Sequence, residues 1–432
     1  MTNITAANVF GKPAVVCLMG ACITVAAATS SQAEAAQPQA GAPLTILYYF
    51  KDRHGTPYNA SADVAFGADG VLYGTTNYGG GSNAGTVYSL TPPGSPCGAW
   101  TEAMLYSFTG GSDGGHPVAG LLIGSNGALY GTASAGGSSA GACGEQGGCG
   151  TAFELTPPSS PGGAWTETVL HTFTGTPDGA YPSTALVPGS GGVLYGTTPS
   201  GGAFGGATLG YGTVFALTPP SSPDGTWVET VLYSFTGGSD GGYPNIPVID
   251  ASGAIYGTTY FGTAFELAPP PSQGGTWTFT LLYTFKGGST PEAGLTIGPG
   301  GELYGTTFGG GGGSCFLGAA TGCGTVFELT PASPGGAWTG TLLGVFQDPH
   351  ADGKFPNSRV VLDSSGVLYG TTLEGGRSGS GTVFALTPRP LRAGLGRNRC
   401  CTASPPPAGL PMVWLPVRMA CYTDLPAAPC SS

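Results

Sequence analysis

The sequence predicts an all-β fold, a six-bladed β-propeller built from four-stranded antiparallel blades. Three observations carry that expectation. The first is a repeated phrase: Leu72-Tyr73-Gly74-Thr75-Thr76 recurs with small changes at Tyr130, Tyr195, Tyr256, Tyr304 and Tyr369, at spacings of 57, 65, 61, 48 and 65 residues. One supersecondary unit repeated at such a period is how propellers and solenoids read in sequence. The second is composition. The 81 Gly and 38 Pro with only 8% charged residues would suit a low-complexity chain, but 19 Tyr and 19 Phe supply ordered apolar surface that such a chain lacks. The third is a count of strands, which comes out complete only if the chain closes on itself.

Taken in order, Lys12 precedes an apolar run from Pro13 to Ala28, too short to span a bilayer and followed by Ala33-Glu34-Ala35. This reads as a secretory signal cut near Ala35, residues 1–35, with a linker over 36–43. A lipoprotein signal ending at Cys22 is the alternative, weakened by Met19 and by the apolar residues that continue past the cysteine.

Residues 44–388 hold the repeats. In the second unit, Pro117–Ile123 and Ala128–Thr132 flank the turn Gly124-Ser125-Asn126-Gly127 and read as a hairpin. A third strand, Gly150–Pro157, is stopped by proline, and a fourth runs from Trp165 to Phe173. The first three strands occur six times, with third strands at Val87, Ala152, Val214, Ala264, Val326 and Val383. The fourth occurs only five times, ending at Phe108, Phe173, Phe235, Phe285 and Phe346, while an orphan copy, Leu47-Tyr48-Tyr49-Phe50, precedes the first unit. Pairing that orphan with the last unit closes a ring and removes two exposed sheet edges, which a solenoid would not require.

The Tyr-Gly-Thr-Thr phrase serves the fold in this reading, each Tyr packing between blades and each Gly allowing close approach. Trp100, Trp165, Trp227, Trp277 and Trp338 open the fourth strands and are expected to cover their outer face. Antiparallel order places the second-to-third connections and the blade-to-blade connections on one face. That face gathers the glycine-rich loops 77–84, 134–149, 199–211, 260–261, 308–323 and 373–380, whose unequal lengths are where binding is expected. It also gathers Asp113-Gly114, Asp178-Gly179, Asp240-Gly241 and Asp352-Gly353. One carboxylate per loop is what a tight turn uses; calcium, the weaker alternative at these four aspartates, needs six or more oxygens on one ion.

Cys143 with Cys149, and Cys315 with Cys323, lie in equivalent loops three units apart and are expected to form disulfides in an oxidising compartment. Zinc at either pair would need C-x₂₋₄-C spacing and further ligands. Cys97 has no evident partner. The histidines His54, His116, His171 and His350 share no spacing, and no Gly-x-Ser-x-Gly, His-Glu-x-x-His or phosphate loop occurs. Residues 44–388 carry 6 Lys+Arg against 21 Asp+Glu, which leaves no footprint for nucleic acid. Residues 389–432, with five of the eight arginines and Cys400, Cys401, Cys421 and Cys430 among prolines, read as a disordered or frame-altered ending without an anchor helix.

The text Gly-x-Leu-Tyr-Gly-Thr-Thr, then Gly-Gly, then Gly-Thr-Val-Phe-x-Leu-Thr-Pro, then Trp-Thr, as at Trp165-Thr166, and Leu-Tyr-Ser-Phe-x-Gly-Gly-x-Asp-Gly, exemplified within residues 212–241, resembles the GloVer tandem-repeat proteins, also called choice-of-anchor proteins. The resemblance implies an exported bacterial surface or extracellular protein. The leading expectation is a secreted, monomeric, non-catalytic binding or structural module for a glycan or protein, with no cofactor. The competitor is a six-bladed propeller hydrolase or lactonase with a central metal, for which the first strands offer Asp63, Asn245, Glu292 and Asn357.

Overall fold

The computed structural model describes residues 47–387 apart from 51–55, 61, 96–97, 139–142, 145–146, 161, 205–209, 223–224, 273, 288, 318–319, 332–336, 348–351 and 377–378, together with the strands at 16–18 and 21–23. The chain divides into two compact units, Met1–Pro43 and Leu44–Ser432. In the first, Val16–Leu18 pairs antiparallel with Ala21–Ile23, placing Cys17 opposite Cys22. The remainder of the expected signal segment, the linker 36–43, Cys97 and the tail 389–432 lie outside the described residues.

The second unit is a six-bladed β-propeller. Its first five blades are four-stranded antiparallel sheets with the strands in sequence order. Blade one is Ala65–Phe66, Leu72–Thr76, Thr86–Thr91 and Thr101–Ser107, and blade two is Leu122–Ile123, Leu129–Ala133, Thr151–Thr156 and Thr166–Thr172. Blades three, four and five span Val187–Ser234, Val248–Thr284 and Thr296–Val345. Fourth strands are half exposed, while the second and third are almost wholly buried, as expected for rim and core of a ring of sheets. In all five blades the pairing of third with fourth strand slips by one residue, so that Leu105, Leu170, Leu232, Leu282 and Leu343 are bulged. A bulge adds local twist.

First strands are shorter than the sequence suggests: only Leu122 and Ile123 join the ladder where Pro117–Ile123 was expected. The lead-in has another partner. Thr75 Oγ1 donates to the Ala119 carbonyl of the next blade at 3.0 Å, which takes that backbone out of its own sheet. The same bond recurs from Thr132 to Thr184, Thr197 to Asn245, Thr258 to Ala293 and Thr306 to Ser358.

That bond explains the first threonine of the repeated phrase, and the other letters have equally local causes. The second threonine pairs with the threonine opening the third strand, Thr198 with Thr213 at 2.9 Å and Thr307 with Thr325 at 2.7 Å. Glycine is required because the tip of the third-strand aromatic ring sits against it. A Cβ on Gly196 would stand 2.5 Å from the Phe215 ring, and one on Gly257 2.5 Å from that of Phe265. The tyrosine reaches the tryptophan of the following blade, Tyr73 to Trp165, Tyr130 to Trp227, Tyr195 to Trp277 and Tyr256 to Trp338, at centroid separations of 5.9–6.3 Å. These tryptophans therefore bridge blades and do more than cover the outer face of their own strands. Below them the terminal Phe of each fourth strand meets the third-strand Phe of the next blade edge to face: Phe108 with Phe153, Phe173 with Phe215, Phe235 with Phe265 and Phe346 with Phe384. Each such pair adds about 1 kcal/mol beyond the area it buries.

Closure by strand pairing is a point of correction. The sixth sheet has three strands, Val361–Leu362, Leu368–Thr372 and Thr382–Leu386, and Leu47–Phe50 joins no ladder among the described residues. The orphan segment does sit against blade one as a preceding fourth strand would. Phe50 meets Tyr88 at 4.8 Å, and Tyr48 Oη donates to Glu102 at 3.4 Å. On the other side no described strand takes the place: Val383 is 55% exposed where Val87 and Val214 are 0%, and Thr371 turns to its own blade's Ser358. Covalent connection accounts for the difference. Every other fourth strand is tied to its third by a proline-rich turn that fixes register, whereas Leu47–Phe50 is joined to Thr382–Leu386 only through the whole ring, so no local turn sets its register.

Candidate functional site

A depression with mixed chemistry lies on the face of the glycine-rich loops, over blades three to five. It is a cavity of about 610 Å³ lined by Ser183, Thr184, Pro199, Tyr243, Pro244, Asn245, Ile246, Tyr260 and Glu292. The unequal loops explain its place. Blade four has the shortest second-to-third connection, Tyr260-Phe261, between the long loops 199–211 and 308–323 of its neighbours. A rim built from one short loop flanked by long ones leaves a hollow above the short one.

Each wall is set by backbone. Tyr243 occupies the left-handed region with φ 55°, as do His116, Tyr181 and Phe355 at the equivalent position before proline. Non-glycine residues rarely adopt this conformation, and it persists here because both backbone groups are held. The Tyr243 N–H donates to the Tyr211 carbonyl at 2.8 Å, and its own carbonyl accepts from Tyr260 N–H at 3.0 Å. The side chains then form an aromatic cluster: Tyr243 is perpendicular to Tyr260 at 6.5 Å and lies 5.1 Å from Phe261, which contacts Tyr211 at 6.1 Å. Tyr260 keeps 46% of its surface exposed.

The cavity's polar groups are four hydroxyls, an amide and a carboxyl. Asn245 Nδ2 donates to Thr258 Oγ1 at 3.0 Å and to the Pro291 carbonyl at 2.8 Å, which leaves its oxygen for a ligand. The Glu292 carboxyl is half-buried, and burial raises its pKa above the ordinary value. It has no hydrogen-bond or ion-pair partner among the described residues. Of the four channel candidates named from sequence, the structure brings Asn245 and Glu292 together, while Asp63 and Asn357 are exposed elsewhere. Tyr243 and Tyr260 were not among them. The two-residue loop at 260–261 was the available signal, because a deletion on a rim exposes whatever remains beneath it.

The Asp-Gly loops are filled by their own turns. Asp240 accepts from Thr236 N–H at 2.8 Å, from Tyr233 Oη at 3.0 Å and from Thr236 Oγ1 at 2.5 Å. Asp113 repeats the set with Thr109 and Tyr106, and Asp178 with Thr174 and His171. Asp352 accepts from Gln347 N–H at 3.4 Å. The carbonyls of these aspartates receive the third-strand threonines, Thr213 to Asp178 and Thr263 to Asp240, so each turn also clamps the next blade. Among the described residues no three His, Cys, Asp or Glu side chains converge as metal ligands would.

Cys143–Cys149 and Cys315–Cys323 are disulfide-bonded, with Cα separations of 5.1 and 4.9 Å. Both bridges are buried beneath their loops, the first against Leu170, Phe173 and Ala180. Closing loops this short contributes about 2 kcal/mol each. A second cavity, about 470 Å³ on the opposite face, is lined by the hairpin turns of blades three and four and by Arg359.

The repeated unit that builds these blades also occurs in other proteins. The Gloeobacter/Verrucomicrobia repeat matches the chain in three overlapping stretches, residues 35–264, 142–314 and 210–393. The chain belongs to this repeat family. No curated protein matches it. Among solved structures it is similar to an oxidoreductase (glucose dehydrogenase) of Thermus thermophilus, at 17% identity over 77% of this chain and 98% of the other, with a TM-score of 0.43. A likeness that loose transfers no activity; the family's tandem repeats, as the six sheets display them, are what the chain shares with known proteins. No helix among the described residues is long and apolar enough to cross a membrane.

Proposed function

We propose that this family member is an exported protein whose propeller acts as a non-catalytic binding module, with the cavity over blades three to five as its ligand site and a glycan as its ligand. The observation that carries this reading is the composition of that cavity. Two tyrosines, an asparagine, a serine, a threonine and one carboxylate line it. Aromatic faces suit the apolar side of a sugar ring, and the convergent acceptors suit its hydroxyls. A metal-dependent hydrolase is disfavoured by the same lining, since one carboxylate and one amide fall short of the oxygens a calcium ion takes. Export is supported by the apolar segment after Lys12, by the two disulfides and by the acidic, sparsely charged composition.

A glycan array probed with the mature chain tests the reading. Retention of one glycan class, lost on Tyr260→Ala with the melting temperature unchanged, is the expected result. Retention of no glycan, or turnover of a bound one, overturns it.

A further inference from the structure

The binding site has a sign. Its only ionisable side chain besides the tyrosines is Glu292, half-buried and without a partner among the described residues. Among the described residues the cations are Lys286, Lys354 and Arg359, and none lines the cavity. Lys354 is engaged with Glu374 at 2.9 Å, and Arg359 lines the cavity on the opposite face. A carboxylate partly withdrawn from water, with no counter-charge beside it among the described residues, gains from a ligand that brings the positive charge with it.

The aromatic geometry favours an organic cation over a metal ion. Tyr243 and Tyr260 stand at 90° with centroids 6.5 Å apart, so they form two walls of a corner. Ammonium groups are attracted to the faces of such rings, and a corner closed by a carboxylate is the arrangement that recognises them. The cavity is also wider than an ammonium head needs, about 610 Å³, and it adds the Ser183 hydroxyl and the free oxygen of Asn245. Those groups have no role for a bare ammonium but pair readily with ring hydroxyls.

We propose that the cavity over blades three to five selects amino sugars, holding the ammonium of a glucosamine-type residue against Glu292 and the corner of Tyr243 and Tyr260 while Ser183 and Asn245 meet the sugar hydroxyls. This rests on the glycan-binding reading above and narrows it to a charged class. Three consequences follow. Affinity falls as salt rises, because a charged contact near the surface is screened. N-acetylation of the amine removes the preference, since the amide carries no charge. Glu292→Gln keeps the shape of the site and removes its sign.

The test is calorimetric titration of the full mature chain with a glucosamine trisaccharide, its N-acetylated counterpart, a glucose trisaccharide and choline. The expected result is at least tenfold tighter binding of the glucosamine trisaccharide than of either neutral sugar, with that ratio reduced to near one in Glu292→Gln and all binding weakened in Tyr260→Leu. If the neutral sugars bind as well as the charged one, the inference fails while the glycan-binding reading stands. If choline binds and no sugar does, the amino-sugar assignment fails with it. If none of the four binds to a chain that melts cooperatively, both readings fail. Circular dichroism of each variant separates loss of the ligand from loss of the fold.

Discussion

Glu229 gives a sharp prediction, because the blades force a carboxyl into a place that penalises its charge. It lies on the fourth strand of blade three, near His171 and Asp178 of blade two, and its Oε1 has no hydrogen-bond partner among the described residues. Burial, with a smaller push from Asp178 and an opposing pull from His171, raises its pKa from 4.5 to about 7. Below pH 4.5 the carboxyl is protonated in both folded and unfolded chains, and the native state suffers no penalty. Between 4.5 and about 7 the folded protein retains a proton that the unfolded chain has released, so the stability contributed by this group is lost as pH rises through that window. Taken at face value the shift amounts to about 3 kcal/mol, and solvent screening of a group that keeps some exposure reduces it to about 1 kcal/mol. Glu229→Gln removes the charge and keeps the shape. The variant is expected to match the wild type at pH 4 and to exceed it by about 1 kcal/mol at pH 8, measured by urea unfolding followed through tryptophan fluorescence. A difference that does not change with pH, or a variant weaker than the wild type at pH 8, refutes the reasoning. Asp178 opposes the trend from the other side. Burial pushes its carboxyl up, but hydrogen bonds from His171 and Thr174 outweigh that and hold it below 3.8, so its contribution is lost only as pH falls through the acid range.

Two further outcomes test the repeat itself. Gly196→Ala places a methyl 2.5 Å from Phe215 and 3.0 Å from Leu186, and because both neighbours are buried it should destabilise by about 1–3 kcal/mol, seen as a lowered melting temperature. Asp240→Ala strips the acceptors from Thr236 and Tyr233 and should weaken the fold by about 2–3 kcal/mol, while calcium or a chelator leaves the melting temperature of the wild type unmoved; a calcium-dependent rise would instead make this loop a metal site.

Much of the fold was legible before any coordinates. The strand order, the four-strand unit and the side on which the loops emerge follow from period-two patterns bounded by proline and glycine, because a ladder and its turns are local constraints. The turn role of Asp113, Asp178 and Asp240 could be read from Asp-Gly because Asp satisfies its own neighbouring N–H groups. The Thr-Thr pair was legible as a motif but opaque as a device. One hydroxyl crosses to the next blade, and that partner is set by packing about 35 to 52 residues away in sequence.

Tertiary structure alone decided three things. Tyr243 and Tyr260 of blade four share a cavity with Glu292 of the lead-in to blade five and Ser183 of the lead-in to blade three, beneath the short loop of blade four. Burial in the folded blades pushed the pKa of Glu229 up to about 7, with Asp178 adding to the rise and His171 opposing it. The seam between the last and first blades also differs from the other five, although Leu47–Phe50 has the text of a fourth strand. Sequence determines which surfaces a segment can satisfy. Whether both are satisfied at once depends on chain connectivity, and a strand joined to its sheet by no turn lacks the local register that its five tethered counterparts receive from theirs.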